Sequence, residues 1–200
     1  MKKCIIISDS FKGTLSSREI CSIARRSFAA LLPDCQLVCV PVADGGEGTV
    51  DCFAEVCAGE KVITTVQGPY GEPMDAAYLR LNSGEAVIEM AASAGLPLVE
   101  ERKNPCQTST YGVGQQIRHA VERGCRKIVL GLGGSATNDG GCGCAAALGV
   151  RFLNAEGNRF IPVGGTLDQI AEIDLTATEQ LLEGVEITVS KVRQLVHLWN

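Results

Sequence analysis

The stretch KCIIISDSFKGT, Lys3 to Thr14, opens on a continuous apolar run with three isoleucines and breaks into a polar loop at Asp9. A run without alternation predicts a strand buried on both faces, as a parallel sheet requires. A helix then starts at Ser16 or Ser17. Glu19 stands early in it, and Ile20, Ile23, Ala24, Phe28, Leu31 and Leu32 repeat at helical spacing until Pro33. Gln36 to Val42 is a second strand-like run, ending in DGGEGT, Asp44 to Thr49. A helix carrying Val50, Phe53, Ala54 and Cys57 follows, with Gly59 as its cap and Lys61 to Val66 as a third strand. The order β-α-β-α-β predicts a doubly wound α/β fold.

Beyond this opening the pattern changes. Gly68 to Pro73 is a turn cluster, and Asp75 to Leu81 with Ala86 to Met90 reads as a hairpin around Asn82-Ser83-Gly84. A helix spans Thr110 to Arg123 and stops at Gly124. The strand Lys127 to Leu132 runs into the richest loop of the chain, GGSATNDGG, Gly133 to Gly141. Cys142 to Leu148 reads as a helix, Arg151 to Pro162 as a hairpin, Thr166 to Ile170 as the start of a helix and Val185 to Val189 as the start of a strand.

Composition excludes several classes of function. With 200 residues, 46% hydrophobic and 20% charged, the chain is an ordinary globular sequence. Its net charge of −5 and 4% aromatic content argue against nucleic acid as a partner. The apolar run after Lys2-Lys3 stops at Ser8, too soon for a secretory signal. No apolar stretch reaches the roughly 18 residues of a membrane span, so neither membrane insertion nor export is expected and the cytoplasm is. Ten cysteines sit largely in apolar segments, where a thiol packs as a small hydrophobe. Cys142 and Cys144 lack further ligands at zinc spacing. His119 reads as a surface residue of a helix, and with only two histidines in the chain a Ser-His-Asp hydrolase is a poor reading.

Three loops share one pattern: each follows an apolar strand, precedes a helix and mixes glycine with hydroxyl or acidic residues. Glycine lets backbone approach a ligand, helix-start amides favour an anion, and ligands of open α/β sheets sit beyond the strand ends. Asp9-Ser10-Phe11-Lys12-Gly13 places a lysine among small polar groups. Asp44-Gly45-Gly46-Glu47-Gly48 holds two carboxylates suited to Mg²⁺. Gly133-Gly134-Ser135 with Thr137, Asn138 and Asp139 concentrates hydrogen-bonding groups beyond what a turn needs. Each loop also reads as a turn with a helix cap. No G-x-x-x-x-G-K-[ST] is present. Gly-rich loops, acids and one loop lysine fit phosphoryl transfer, which depends on positioning and charge neutralisation.

The loops resemble those of the bacterial glycerate kinase family. The resemblance lies in Asp9-Ser10-Phe11-Lys12-Gly13, Pro41 to Thr49, Gly68-Pro69-Tyr70-Gly71, Ile88-Glu89-Met90-Ala91 through Gly95-Leu96, Thr110 to Gly114 and Gly131 to Gly141, and runs from about residue 4 to about residue 189. It implies ATP-dependent phosphorylation of D-glycerate to 2-phosphoglycerate with Mg²⁺, on a Rossmann-like parallel-sheet domain with a second, inserted α/β domain. The expected division is residues 1–70 for the first part of the Rossmann-like domain, 71–185 for the inserted domain and 186–200 for the return to the first. Two loops, Asp44–Thr49 and Gly133–Gly141, are expected to face one cleft between these domains. Lys12, Asp44 and Asp139 are the expected catalytic residues: Lys12 neutralises phosphate or carboxylate and Asp139 serves as base or metal group. Asp44 and Glu47 are expected to hold the metal. Asp9, Ser10, Gly45, Gly46, Glu47, Gly133, Gly134, Ser135, Thr137 and Asn138 are expected to contact substrate or phosphate.

The resemblance breaks after Val189. Family members continue for about as many residues again through an acidic loop, whereas here Ser190 to Asn200 carries no acid. This reads as a truncated or frameshifted end that leaves the Rossmann-like domain incomplete. A small-molecule kinase of the homoserine and mevalonate type is a rival reading of Gly-Leu-Gly-Gly-Ser-Ala, but those kinases lack Asp-Gly-Gly-Glu-Gly. A non-catalytic fragment that binds glycerate or nucleotide is the rival of another class.

Overall fold

The computed structural model describes residues 2–11 and 13–190; Lys12 and the expected aberrant tail from residue 191 onward lie outside the described residues. Strands β1 (Lys2–Ser8) and β2 (Cys35–Pro41) pair in parallel, from Lys2 opposite Cys35 to Ser8 opposite Pro41. Helix α1 (Ser17–Leu31) joins them. Its start is fixed by a reciprocal cap: the Glu19 amide donates to Ser16 Oγ at 3.2 Å and the Ser16 amide to Glu19 Oε2 at 2.8 Å. The hydrogen bonds from Ser16 hold the Glu19 carboxyl below its ordinary range. The helix lies against the sheet, with Cys39 Sγ 3.5 Å from the Cys21 carbonyl.

No third strand joins this pair among the described residues. Ile5 and Ile7 are therefore 56% and 65% exposed, which corrects the expectation of a strand buried on both faces. Part of α1's apolar stripe, Phe28 and Leu31, is exposed for the same reason: two strands are too narrow to cover it.

Helix α2 (Thr49–Val56) follows, and β3 (Gly59–Gln67) begins at the glycine expected to cap it. The helix instead ends at Cys57, whose backbone is extended. Nor is β3 a third strand of the first sheet. It runs antiparallel to β4 (Pro73–Leu81) from Gly59 opposite Leu81 to Gln67 opposite Pro73. The turn between them is short, closed by the Gly68 amide donating to the Glu72 carbonyl at 2.7 Å, with Gly71 at φ +90°. Closing so small a loop costs less entropy than a crossover to a parallel neighbour.

Strands β5 (Glu85–Glu89), β6 (Lys127–Gly131) and β10 (Glu186–Ser190) complete a five-stranded sheet in the order β10-β6-β5-β4-β3, its β5, β6 and β10 parallel. The change of sheet thus falls ahead of β3, and residues 186–190 extend this sheet instead of returning to β1 and β2. The physical reason is local pairing: β3 meets its hairpin partner, and β10 meets β6, whose outer edge is open.

Central β5 has Ala86, Val87 and Ile88 completely buried. Alternation sends Ile88 and Tyr78 to one face, under Val113 and Ile117 of α4 (Tyr111–Glu122), and Val87 and Leu79 to the other, under Val50 of α2. The core is a sheet between helix layers, and α2, though it leaves β2, packs on the second sheet. His119, expected at the surface, is half-buried, its Nδ1 3.1 Å from the Tyr78 hydroxyl.

Helix α3 (Ala91–Ala94) follows β5, and α5 (Cys142–Ala147) follows β6. A small sheet of order β8-β7-β9 lies beyond, made of β7 (Arg151–Leu153), β8 (Arg159–Phe160) and β9 (Glu172–Asp174). The helix expected from Thr166 is one 3-10 turn, Leu167–Gln169, while β9 and α6 (Thr176–Leu181) were not foreseen. All ten cysteines are thiols. Among the described residues no helix is long and apolar enough to cross a membrane.

Candidate active site

The loop after β2 and the loop after β6 meet backbone to backbone. The Gly133 amide donates to the Gly45 carbonyl at 3.0 Å. The fit tolerates no side chain: a Cβ on Gly133 would stand 2.6 Å from the Gly46 nitrogen, and one on Gly131 would stand 2.2 Å from the Gly45 oxygen. Asp44, Gly45, Gly46 and Glu47 are thereby brought to Gly133 and Gly134. Within the Asp44–Thr49 loop the Asp44 carboxylate accepts the Gly46 amide at 2.9 Å, while Glu47 is exposed.

On the other side, Ser135 and Thr137 share a hydroxyl contact of 2.8 Å, and the Thr137 amide donates to Ser135 Oγ at 3.2 Å. Helix α3 and the segment before α4 brace this loop: the Ala136 amide donates to the Ala94 carbonyl, and Thr108 Oγ1 to the Ala136 carbonyl, both at 2.8 Å. Asn138 is exposed.

The loop after β1 comes to the same neighbourhood from a third direction. Asp9 and Ser10 line a cleft of about 860 Å³ with Glu47, Gly48, Asp51 and Lys61. That volume suits a small-molecule site. Lys12 lies outside the described residues. The wide cleft is walled by the first and second loops, and the third adjoins it through the glycine contact instead of lining it. Lys61, at the start of β3, is a cation in this cleft that sequence reasoning missed. It is ion-paired with Asp51 on α2, and a lysine on a strand carries no pattern that flags it.

Two helices here begin with one device. The caps of α2 and α5, Gly48 at φ +92° and Gly141 at φ +78°, carry no side-chain cap of their own. A buried carboxylate takes the orphan amides instead: Glu89 from a distant strand for α2, and Asp139, just ahead of Gly141, for α5. Asp139 is 1% exposed. Its Oδ1 accepts the Gly141 amide at 2.9 Å, and its Oδ2 accepts the Gly143 amide at 3.1 Å with the Thr110 amide and hydroxyl at 2.8 Å each. Asp139 thus ties the starts of α4 and α5 together. A carboxylate that is closed off from solvent and holds four donors is placed to brace the helix starts, which sets it apart from its expected role as base or metal group.

Glu89 serves α2 in the same way. It is buried on β5 and accepts the Gly48 and Val50 amides. Burial pushes its carboxyl above the ordinary range, against the two amides that lower it. The expectation that these helix starts offer unpaired amides to phosphate is overturned, since the protein's own carboxylates occupy them. Burial likewise pushes the Cys144 thiol up to about 12 and the Cys142 thiol upward, so neither is a ready nucleophile.

Among the described residues no group of three or more His, Cys, Asp or Glu is placed to hold a metal ion. Asp44 and Glu47 offer two carboxylates, a number that suits Mg²⁺ when nucleotide phosphates supply further oxygens.

The sequence profile described as the Glycerate kinase family matches residues 4–192. A Glycerate kinase of Bacillus cereus is 44% identical over 187 residues, covering 92% of this chain and 49% of that protein. A Glycerate 2-kinase of Escherichia coli is 40% identical over 190 residues, covering 94% of this chain and 50% of that protein. The crystal structure of a proposed glycerate kinase 2 from Salmonella typhimurium superposes with a TM-score of 0.79 at 39% identity, over 94% of this chain and 51% of that one. The chain spans about half the length of the curated relatives it matches.

Proposed function

Because this chain belongs to the glycerate kinase family, we propose that it carries the site for ATP-dependent phosphorylation of D-glycerate to 2-phosphoglycerate, acting in the cytoplasm. The observation that carries this reading is the contact between Gly133 and Gly45, which sets a carboxylate loop against a Gly-Ser-Thr loop. Phosphoryl transfer uses that pairing: one side orients the hydroxyl nucleophile, the other holds the phosphates.

In this reading Asp44 accepts the hydrogen of the reacting glycerate hydroxyl. The hydroxyl oxygen bonds to the γ-phosphorus, the bond from that phosphorus to the β-phosphate oxygen breaks, the hydroxyl proton passes to Asp44 and ADP leaves. Ser135, Thr137 and Asn138 contact the phosphates. Lys12 neutralises phosphate or the glycerate carboxylate, and Asp9 and Ser10 line the approach. Glu47 would hold Mg²⁺, with Asp44 beside it as the base, and the ion would supply charge neutralisation.

A coupled assay of ADP release with D-glycerate and ATP on the 200-residue chain tests this, with ³¹P spectra to identify the phosphorylated hydroxyl. Turnover that Asp44→Ala lowers at least about a hundredfold is expected; undiminished turnover removes Asp44. A second reading is binding of glycerate or nucleotide without turnover. Saturable binding by calorimetry with no ADP release would establish it.

A further inference from the structure

We propose that Glu89 is a positioning residue: by holding the start of α2 it fixes the Asp44–Thr49 loop in the shape that receives the hydroxy-acid, and it acts on the reaction only through that loop. The inference rests on the kinase reading for the identity of the ligand, while the geometry stands independently of it.

Four observations lead to it. Glu89 ends the most buried strand of the molecule and is 8% exposed, a location where a carboxylate is retained only if its oxygens are partnered. Its partners are the Gly48 and Val50 amides, so it caps a helix whose own N-cap residue has no side chain. Its backbone stands opposite Gly131 in the β5–β6 register, and Gly131 abuts Gly45. One residue thus grips the second loop by its side chain while its backbone is built into the root of the third. Finally, a carboxylate at the positive end of α2 disfavours a phosphate there. That leaves the Asp44 side of the junction to a hydroxyl or a cation and the Ser135 side to phosphate. Glu89 is no candidate base, because its oxygens face backbone amides inside the junction.

The test uses Glu89→Gln, which keeps length and one acceptor oxygen, and Glu89→Ala, which removes the acceptor, in the full chain. Amide hydrogen exchange and calorimetry with D-glycerate and with ATP are the readouts. In Glu89→Gln the Gly48 and Val50 amides are expected to exchange at least about tenfold faster. D-glycerate binding is expected to weaken by about tenfold while ATP binding changes less than about twofold. A purely structural cap would not separate the two ligands.

Faster exchange with D-glycerate binding unchanged, or equal weakening of both ligands, overturns the proposal. If Glu89→Ala fails to fold, Glu89→Gln decides. If the unmodified chain binds neither ligand, the kinase reading fails, and the backbone resonances of Asp44 to Glu47 decide the role of Glu89. Displacement of those resonances in Glu89→Gln upholds positioning, and unmoved resonances refute it.

Discussion

Asp139→Ala is expected to lower the unfolding free energy by about 4 kcal/mol, since a buried donor left without its acceptor costs roughly 1–3 kcal/mol and a charged acceptor more. The four donors it strands are the Thr110, Gly141 and Gly143 amides and the Thr110 hydroxyl, all converging on one carboxylate that is 1% exposed. A domain whose whole stability is of order 5–15 kcal/mol loses a large share of it. Asp139→Asn keeps the shape but turns an amide NH₂ toward the same donors, and is expected to cost about 2 kcal/mol. Urea unfolding with an unchanged m-value measures both. The pair also separates a structural role from a catalytic one. Asp139→Asn normalised to folded protein is expected to keep ligand binding and any turnover within about tenfold. A stable Asp139→Asn with turnover abolished would restore the residue as a base.

Gly133→Ala is expected to break the junction of the two loops. Its Cβ would meet the Gly46 nitrogen at 2.6 Å and Gly46 Cα at 2.7 Å, and both are backbone atoms with no rotamer to yield. Overpacking of this kind costs about 1–3 kcal/mol. Relief requires separating the loops, which also lengthens the 3.0 Å bond from the Gly133 amide to the Gly45 carbonyl. The functional loss should therefore exceed the stability loss. D-glycerate affinity is expected to fall at least about tenfold, with unfolding shifted by about 2 kcal/mol. Unchanged affinity in Gly133→Ala would mean that the contact between the loops is incidental to binding.

What could be read from the sequence was whatever is local. The Ser16–Glu19 cap, the Asn82-Ser83-Gly84 hairpin, the Gly124 stop and the positions of the Gly-rich loops follow from spacing and turn chemistry within a few residues, and all are present in the structure. Sheet membership was not legible. Lys61 to Val66 has the same strand character whether its partner is parallel or antiparallel, and the closing turn decides between them. The destinations of the two capping carboxylates were also hidden. Val50 and Glu89 are 39 residues apart and Thr110 and Asp139 are 29 apart, so only the folded sheet brings them together. Glycine at a helix start was legible as flexibility near a ligand. At Gly48 it marks a start whose acceptor, Glu89, arrives from elsewhere in the chain.

The account turns on the second and third loops forming one binding surface. The most direct measurement is amide hydrogen exchange across the chain with and without saturating D-glycerate. Slowed exchange in both segments 44–49 and 133–138, with the small β7–β9 sheet unaffected, is the result predicted. Slowed exchange in one segment with the other unchanged, or in neither, would contradict it.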